Sequence, residues 1–279
     1  MDSCGTPCAH ARKPWDEYVR DHIQEHGANS KGRGAFGDRG RSEFSQRYGL
    51  CAPAEPLVNC KFLVGRFAGT RIMLLPKLLS KMGYKGDSVE VGVYKGAHSQ
   101  LLLKKWGTGG THTLVDPYVH SSLGCKKLMD KQCRMNQTKF DQLHNLTRAA
   151  FARSFPRRAR MLRQYSVEAS RTFENASLSF IYIDARHDYD GVLEDLHAWW
   201  PKLCPGGMLA GHDWTQEGRQ GYSKIAKKNL PVAAAVHRFL LERDLHDQSH
   251  TVRDPMDLFI TSEHPASWLM FKPAMPCPR

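Results

Sequence analysis

No apolar run in this 279-residue chain approaches the length needed to cross a bilayer. The first residues, MDSCGTPCAHARKPWDEYVRD, lack the apolar stretch of a secretory signal, and Asp2, Asp16, Glu17 and Asp21 argue against a transit peptide. A cytoplasmic location is therefore expected. The eight cysteines are scattered without the paired spacing of a zinc site, and in that compartment they read as thiols rather than disulfides. Cys4 with Cys8, and Cys125 with Cys133, are the pairs that could serve metal or redox chemistry. Three N-glycosylation sequons, at Asn136, Asn145 and Asn175, would not meet the modifying machinery there. The three-glycine fingerprint of dinucleotide-binding folds is also missing.

What is present is enough apolar material, 41% of the residues, to bury a full core. A single α/β domain over residues 56–279 is expected, preceded by an N-terminal extension over 1–55. In that extension Pro14–His26 could form a short helix, and the Gly/Arg/Ser-rich segment 27–41 should be flexible. The net charge of +12 is uneven: residues 117–165 hold 11 Lys/Arg against 2 Asp/Glu, whereas 166–279 hold 12 against 15. The basic stretch could attract an anionic substrate, a membrane surface or nucleic acid, or be a solvated face. It lacks the signature of an RNA-binding module.

From Arg71 onward, helix and strand signals alternate. Ile72, Leu75, Leu78, Leu79 and Met82 make an amphipathic helix ended by Gly83. Ser88–Val91, Thr113–Val115, Arg160–Leu162, Phe180–Ile183 and Met208–Ala210 read as parallel strands. Between the last two, Val192, Leu196, Trp199, Trp200 and Leu203 form one apolar helical stripe, stopped by Pro205-Gly206-Gly207. The two tryptophans are assigned to the core. Helix Val232–Leu241 precedes a terminal hairpin, Asp257–Thr261 with Trp268–Phe271. The pattern predicts a Rossmann-like, doubly wound, mostly parallel seven-stranded sheet with a reversed C-terminal strand. Residues 119–158 form a basic insertion with a helix over Met135–Ser154, either a lid over the site or a lengthened crossover helix.

The chemistry concentrates at strand ends. Asp184, His187 and Asp188 follow one strand, and His212 with Asp213 closes the next. Parallel strands joined by a helix deliver these ends to the same sheet edge, where open α/β folds bind ligands. An acid directly after a buried run, as at Asp184, is costly to desolvate without a partner. Asp188 or Asp190 could instead cap the following helix. Upstream, Glu90-Val91-Gly92-Val93-Tyr94-Lys95-Gly96-Ala97-His98-Ser99 turns from strand to helix through two glycines that let backbone approach a ligand. Asp116 ends the next strand, where an acid can accept from both hydroxyls of a ribose.

Glu90–Ser99, Leu114–Tyr118 and 180–214 together resemble a class I S-adenosylmethionine-dependent methyltransferase. The chain is most similar to the metal-dependent small-molecule O-methyltransferases of the catechol and macrolide-sugar types, over roughly residues 70–273. The resemblance implies cofactor contacts from Glu90, Gly92, Tyr94, Gly96 and His98, a ribose contact from Asp116, and an adenine contact near Ser166. It implies a divalent metal (Mg²⁺, Mn²⁺ or Fe²⁺) on Asp184, His212 and Asp213. His212 stands where relatives often have a carboxylate, which shifts the preference away from Mg²⁺. His187 stands where the catechol type has its proton-accepting lysine, and becomes the general base beside Asp184. The implied partner is a hydroxylated small molecule, with a homo-oligomer left open. The alternatives are a metal-dependent hydroxylase on the same fold, and an RNA-binding or RNA-methylating protein that uses the basic insertion.

Overall fold

The computed structural model describes residues 50–51, 62–67, 69–120, 134–214, 231–246 and 258–272. The Pro14–His26 helix, the 27–41 segment, and Cys4, Cys8, Cys125 and Cys133 lie outside the described residues. The elements run β1 (Leu50–Cys51), β2 (Phe62–Phe67), α1 (Arg71–Lys81), β3 (Asp87–Val91), α2 (Ala97–Lys105) and β4 (His112–Val115). They continue as α3 (Gln137–Ser154), β5 (Ala159–Leu162), α4 (Ser166–Ser170), β6 (Leu178–Ile183), α5 (Tyr189–Trp199) and β7 (Leu203–Trp214). The chain closes with α6 (Pro231–His246), β8 (Leu258–Thr261) and β9 (Ala266–Phe271).

All the described strands join one sheet in the order β1-β2-β8-β9-β7-β6-β3-β4-β5. The seven expected strands, β3 to β9, are parallel except for β9, which runs antiparallel to both β7 and β8. Two further parallel strands among the described residues, β1 and β2, extend this seven-stranded sheet at its β8 edge. Sequence reading misses β2 because Gly65 and Arg66 interrupt its apolar run, and its partner β8 lies almost two hundred residues further on. The order reverses between β3 and β6: the chain leaves β3 toward β4 and β5, then returns to place β6 on the other side of β3. That switch point is where a crevice opens in a doubly wound sheet.

Every residue of β6 is buried, as the continuous apolar run implies. Its alternation divides the core. Ile181 and Ile183 pack with Val192, Leu196, Trp199, Trp200, Val236 and Phe239 on the α5/α6 face. Phe180 and Tyr182 pack with Leu75, Leu78, Leu79, Leu102 and Trp106 on the α1/α2 face. The tryptophans are scaffold, as expected. Helix α5, however, ends before the Pro-Gly-Gly turn: Pro201 draws the chain into a 3₁₀ turn over Trp200–Lys202, and Leu203 already belongs to β7. A proline cannot donate the next helical hydrogen bond.

The thiol reading fails at Cys204, which is buried and disulfide-bonded. Pairing depends on which Cα atoms the fold brings within about 7 Å, and spacing along the chain does not reveal that. Among the described residues no helix is long and apolar enough to cross a membrane.

Of residues 119–158, α3 over Gln137–Ser154 is described and residues 121–133 lie outside the described residues. This helix connects β4 to β5, and its Phe151 and Thr147 lie directly beneath the glycine loop after β3. A Cβ at Gly96 would overlap the Phe151 ring and come within 3.2 Å of Thr147 Cγ2. Asn136 caps α3 by accepting from the Lys139 N–H at 3.0 Å.

Candidate active site

The glycine loop is a backbone turn fixed by one carboxylate. Asp116 Oδ2 accepts from the N–H groups of Val93 (3.0 Å) and Tyr94 (2.9 Å), and Oδ1 accepts from Tyr118 N–H (2.8 Å). Tyr94 has a positive φ of 49°, and its carbonyl accepts from Tyr118 Oη at 2.9 Å. Burial pushes the Asp116 carboxyl up, and the three backbone donors pull it back. A carboxylate has about four acceptor sites, so one remains for a ligand.

Below the loop lies a buried polar chain. Ser99 Oγ donates to Glu90 Oε2, His112 Nε2 meets Ser99 Oγ at 2.6 Å, and His112 Nδ1 meets Ser88 Oγ at 2.8 Å. Burial pushes the His112 imidazole down to about 3, so the ring is neutral. Since Ser99 gives its proton to Glu90, the network assigns the ring proton to Nε2 and leaves Nδ1 to accept from Ser88. Glu90 itself is 2% exposed, and burial raises its carboxyl while the neighbouring His98 lowers it. His98 stacks on Tyr182 with ring centroids 4.0 Å apart, its Nδ1 3.4 Å from Glu90 Oε1. Ser166 begins α4 and accepts from Trp199 Nε1 at 2.9 Å.

The acidic and imidazole cluster sits immediately across this loop. Asp184 N–H donates to Val91 O at 2.7 Å, so the two chain segments run side by side past the sheet edge. A Cβ on Gly92 (φ 88°) would overlap the Asp184 carbonyl oxygen and fall 2.6 Å from Ala185 Cα. Only glycine lets these segments meet.

His212 and Asp213 both turn toward Asp184, although consecutive strand residues ordinarily point to opposite faces. The register of β7 against β9 shifts between Gly211 and Trp214, and Asp213 has a positive φ of 56°. This bulge brings both side chains to one side. A non-glycine residue held there costs about 1–3 kcal/mol, a kind of strain that clusters at functional sites. His212 Nδ1 lies 3.2 Å from Asp213 Oδ1 and 3.7 Å from Asp184 Oδ1. His187 bridges the two acids, Nε2 3.4 Å from Asp184 Oδ1 and Nδ1 3.2 Å from Asp213 Oδ2. Burial works to raise the Asp184 carboxyl, but the two imidazoles outweigh it and hold the group well below the usual range. Ligand atoms of Asp184, His212 and Asp213 lie within 4.8 Å of one another, a spacing that can hold a cation.

Asp188 does not join them. It caps α5 by accepting from Gly191 N–H at 3.0 Å and is paired with Arg186. The convergence of five groups expected from the sequence is therefore a convergence of four.

Residues 89–214 match the family model of a methyltransferase domain. The matched segment runs from β3 to the end of β7 and so contains both halves of the site. A 64-residue stretch is 34% identical to the uncharacterised protein y4gI of Sinorhizobium fredii, covering 23% of this chain and 7% of that protein. Among solved structures, the O-methyltransferase NovP overlays with a TM-score of 0.49 at 16% identity, over 73% of this chain and 78% of that one. The SAH-bound methyltransferase PaMTH1 of Podospora anserina overlays at 0.44 and 11% identity, over 66% and 70%.

Two residues beside these acids escape sequence reading. Arg71 Nη1 contacts His212 Nε2 and lies 3.6 Å from Glu263 Oε2. Glu263, in the β8–β9 turn, accepts the Arg71 backbone N–H at 2.8 Å and so caps α1 from a distant element. Thr70, the local N-cap, makes no side-chain cap bond. The one available signal was a cation at a helix N-terminus, the end where the helix dipole disfavours it.

Part of the basic stretch is spent internally. Arg158 donates to the carbonyls of Leu103 (3.3 Å) and Trp106 (2.8 Å) at the end of α2, and Arg163 pairs with Asp141 and donates to Tyr118 O.

Proposed function

We propose that this chain transfers the methyl group of S-adenosylmethionine to a hydroxyl oxygen of a small molecule, with help from a divalent metal. The observation that supports this best is the abutment of Gly92 on Asp184: the glycine loop and the acid–imidazole cluster meet at one edge of the sheet. Glu90, Gly92, Tyr94, Gly96, His98, Asp116 and Ser166 would hold the methyl donor on the loop side. Asp184, His212 and Asp213 would hold the cation. Their mixed oxygen and nitrogen set suits Mn²⁺ or Fe²⁺ better than Mg²⁺.

When bound, the donor supplies an electrophilic methyl group and the cation acidifies a coordinated hydroxyl. The chain's own contribution is placement and proton removal. His187 receives the hydroxyl proton on one ring nitrogen, and the carboxylate facing the other orients the ring. Asp116 fixes the loop and offers its remaining acceptor site to a ribose hydroxyl.

Incubation with labelled S-adenosylmethionine, Mg²⁺, Mn²⁺ or Fe²⁺, and a panel of catechols, flavonoids and sugars tests the reading. Methylated product is expected, with Asp184→Asn and Asp213→Asn losing more activity than His187→Ala. Positioning is worth up to about 7–11 kcal/mol, against about 3–5.5 kcal/mol for a general base. Demethylated cofactor without methylated product would overturn methyl transfer, as an iron hydroxylase on this fold would show. His187→Ala as the most damaging change would reverse the ranking.

A further inference from the structure

Arg71 is poorly matched to the partners it has. A guanidinium offers five donors in a rigid fork. Here Nε is buried without a hydrogen-bond partner, and Nη1 is shared between an imidazole nitrogen and a carboxylate oxygen 3.6 Å away. The obvious acid, Glu263, is occupied: its Oε1 accepts from Arg71 N–H (2.8 Å), Ser267 Oγ (3.0 Å) and Thr261 Oγ1 (3.2 Å). No bidentate pair forms, although that is the arrangement that best compensates a desolvated guanidinium. The Arg71 side chain is nevertheless held at the site, 21% exposed, against a metal-ligand candidate.

His212 adds a constraint. Its Nδ1 faces the two aspartates, and its Nε2 faces both Arg71 and the Pro265 carbonyl, 3.2 Å away. A cation on Nδ1 requires the ring proton on Nε2, where the Pro265 carbonyl accepts it. Nε2 then has no lone pair for Arg71. Loading the site thus releases the guanidinium while Glu263 still anchors its helix.

We infer that Arg71 binds an anionic oxygen group, carboxylate or phosphate, on the substrate, one hydroxyl of which reaches the Asp184–His212–Asp213 cluster. The inference rests on the methyl-transfer reading for what happens to that hydroxyl, but the anion site stands on its own geometry. Asp184 and Asp213 turn toward the imidazoles at 3.2–3.7 Å, and a cation held between them offsets their charge. The chain's net charge of +12 adds long-range attraction for such a ligand.

Calorimetric titration of the full chain, loaded with Mn²⁺, compares matched probes: catechol against 3,4-dihydroxybenzoate, and glycerol against glycerol 3-phosphate. At least one anionic member should bind tenfold or more tighter than its neutral partner, and which pair shows the preference identifies carboxylate or phosphate. Arg71→Gln should abolish the preference while leaving the binding of the neutral member unchanged; Arg71→Lys, which keeps the charge but not the fork, should restore part of it. A preference that survives Arg71→Gln, or no preference in either pair, overturns the inference. If Arg71→Gln does not fold, Arg71→Lys alone decides, since an unaltered preference there would count against recognition by the fork. Titration with S-adenosylhomocysteine in the same experiment separates the two readings: failure to bind it would sink methyl transfer and leave the anion site standing.

Discussion

Substituting Gly92 with alanine tests whether the two halves of the site are joined through a single backbone contact. Two costs apply. Alanine at φ 88° pays left-handed backbone strain of about 1–2 kcal/mol. Its Cβ would also stand 2.6 Å from Ala185 Cα, where ordinary contact begins at 3.4 Å, and would overlap the Asp184 carbonyl. Neither neighbour is the end of a flexible side chain. The loop or Asp184 must therefore shift by about 0.8 Å or more, and overpacking of this kind adds about 1–3 kcal/mol. Gly83 supplies the control: its φ is 72°, it closes α1, and a Cβ there meets nothing within 4 Å. Gly83→Ala should thus lose only the strain, and Gly92→Ala about twice as much or more in urea unfolding. A misplacement near 1 Å can cost about 100-fold in rate. Gly92→Ala should accordingly weaken S-adenosylhomocysteine binding and metal binding together in calorimetric titrations. Equal destabilisation of the two variants, with both ligands bound normally by Gly92→Ala, would refute the reasoning.

Asp195, 4% exposed, has its carboxyl pushed up by burial to about 7 from an ordinary 3.8, the Ser166 hydroxyl only partly offsetting it. The unfolded chain therefore releases this proton first as pH rises, so stability should fall between about pH 4 and 7 and level off above. The full effect is at most about 4 kcal/mol. Asp195→Asn should remove that slope and be the more stable form at pH 8, as pH-dependent urea unfolding would reveal; an unchanged slope would count against it. Asp188→Ala should cost about 1 kcal/mol through loss of the α5 cap, measured by the same unfolding assay, while sparing metal binding. A large loss of metal affinity would return Asp188 to the site. Phe151→Ala should cost about 3–5 kcal/mol and loosen the loop at Gly96, read as weakened S-adenosylhomocysteine binding.

The legible part of this protein is periodic. Buried strands such as Phe180–Ile183 and the apolar stripe of α5 announce themselves because a sheet covered on both faces and a helix lying on it impose fixed spacings. The strand ends followed from that, and with them Asp184, His212 and Asp213. Asp188 illustrates the limit: the same residue type at the same strand end can ligate or cap, and only the position of Arg186 and the Gly191 N–H decides.

By itself the sequence determined the alternation of the main strands and helices from α1 onward, the reversed last strand, and the strand ends that carry Asp184, His212 and Asp213, because local pattern and handed connections leave few alternatives. The tertiary structure alone decided what those residues face. The bulge that turns His212 and Asp213 to one side, the Gly92–Asp184 contact, the Cys204 disulfide and the Arg71–Glu263 pair all join segments distant in sequence or bend a strand from its regular period. Neither kind of feature leaves a local trace, since the energy that fixes it comes from neighbours the chain meets only after folding.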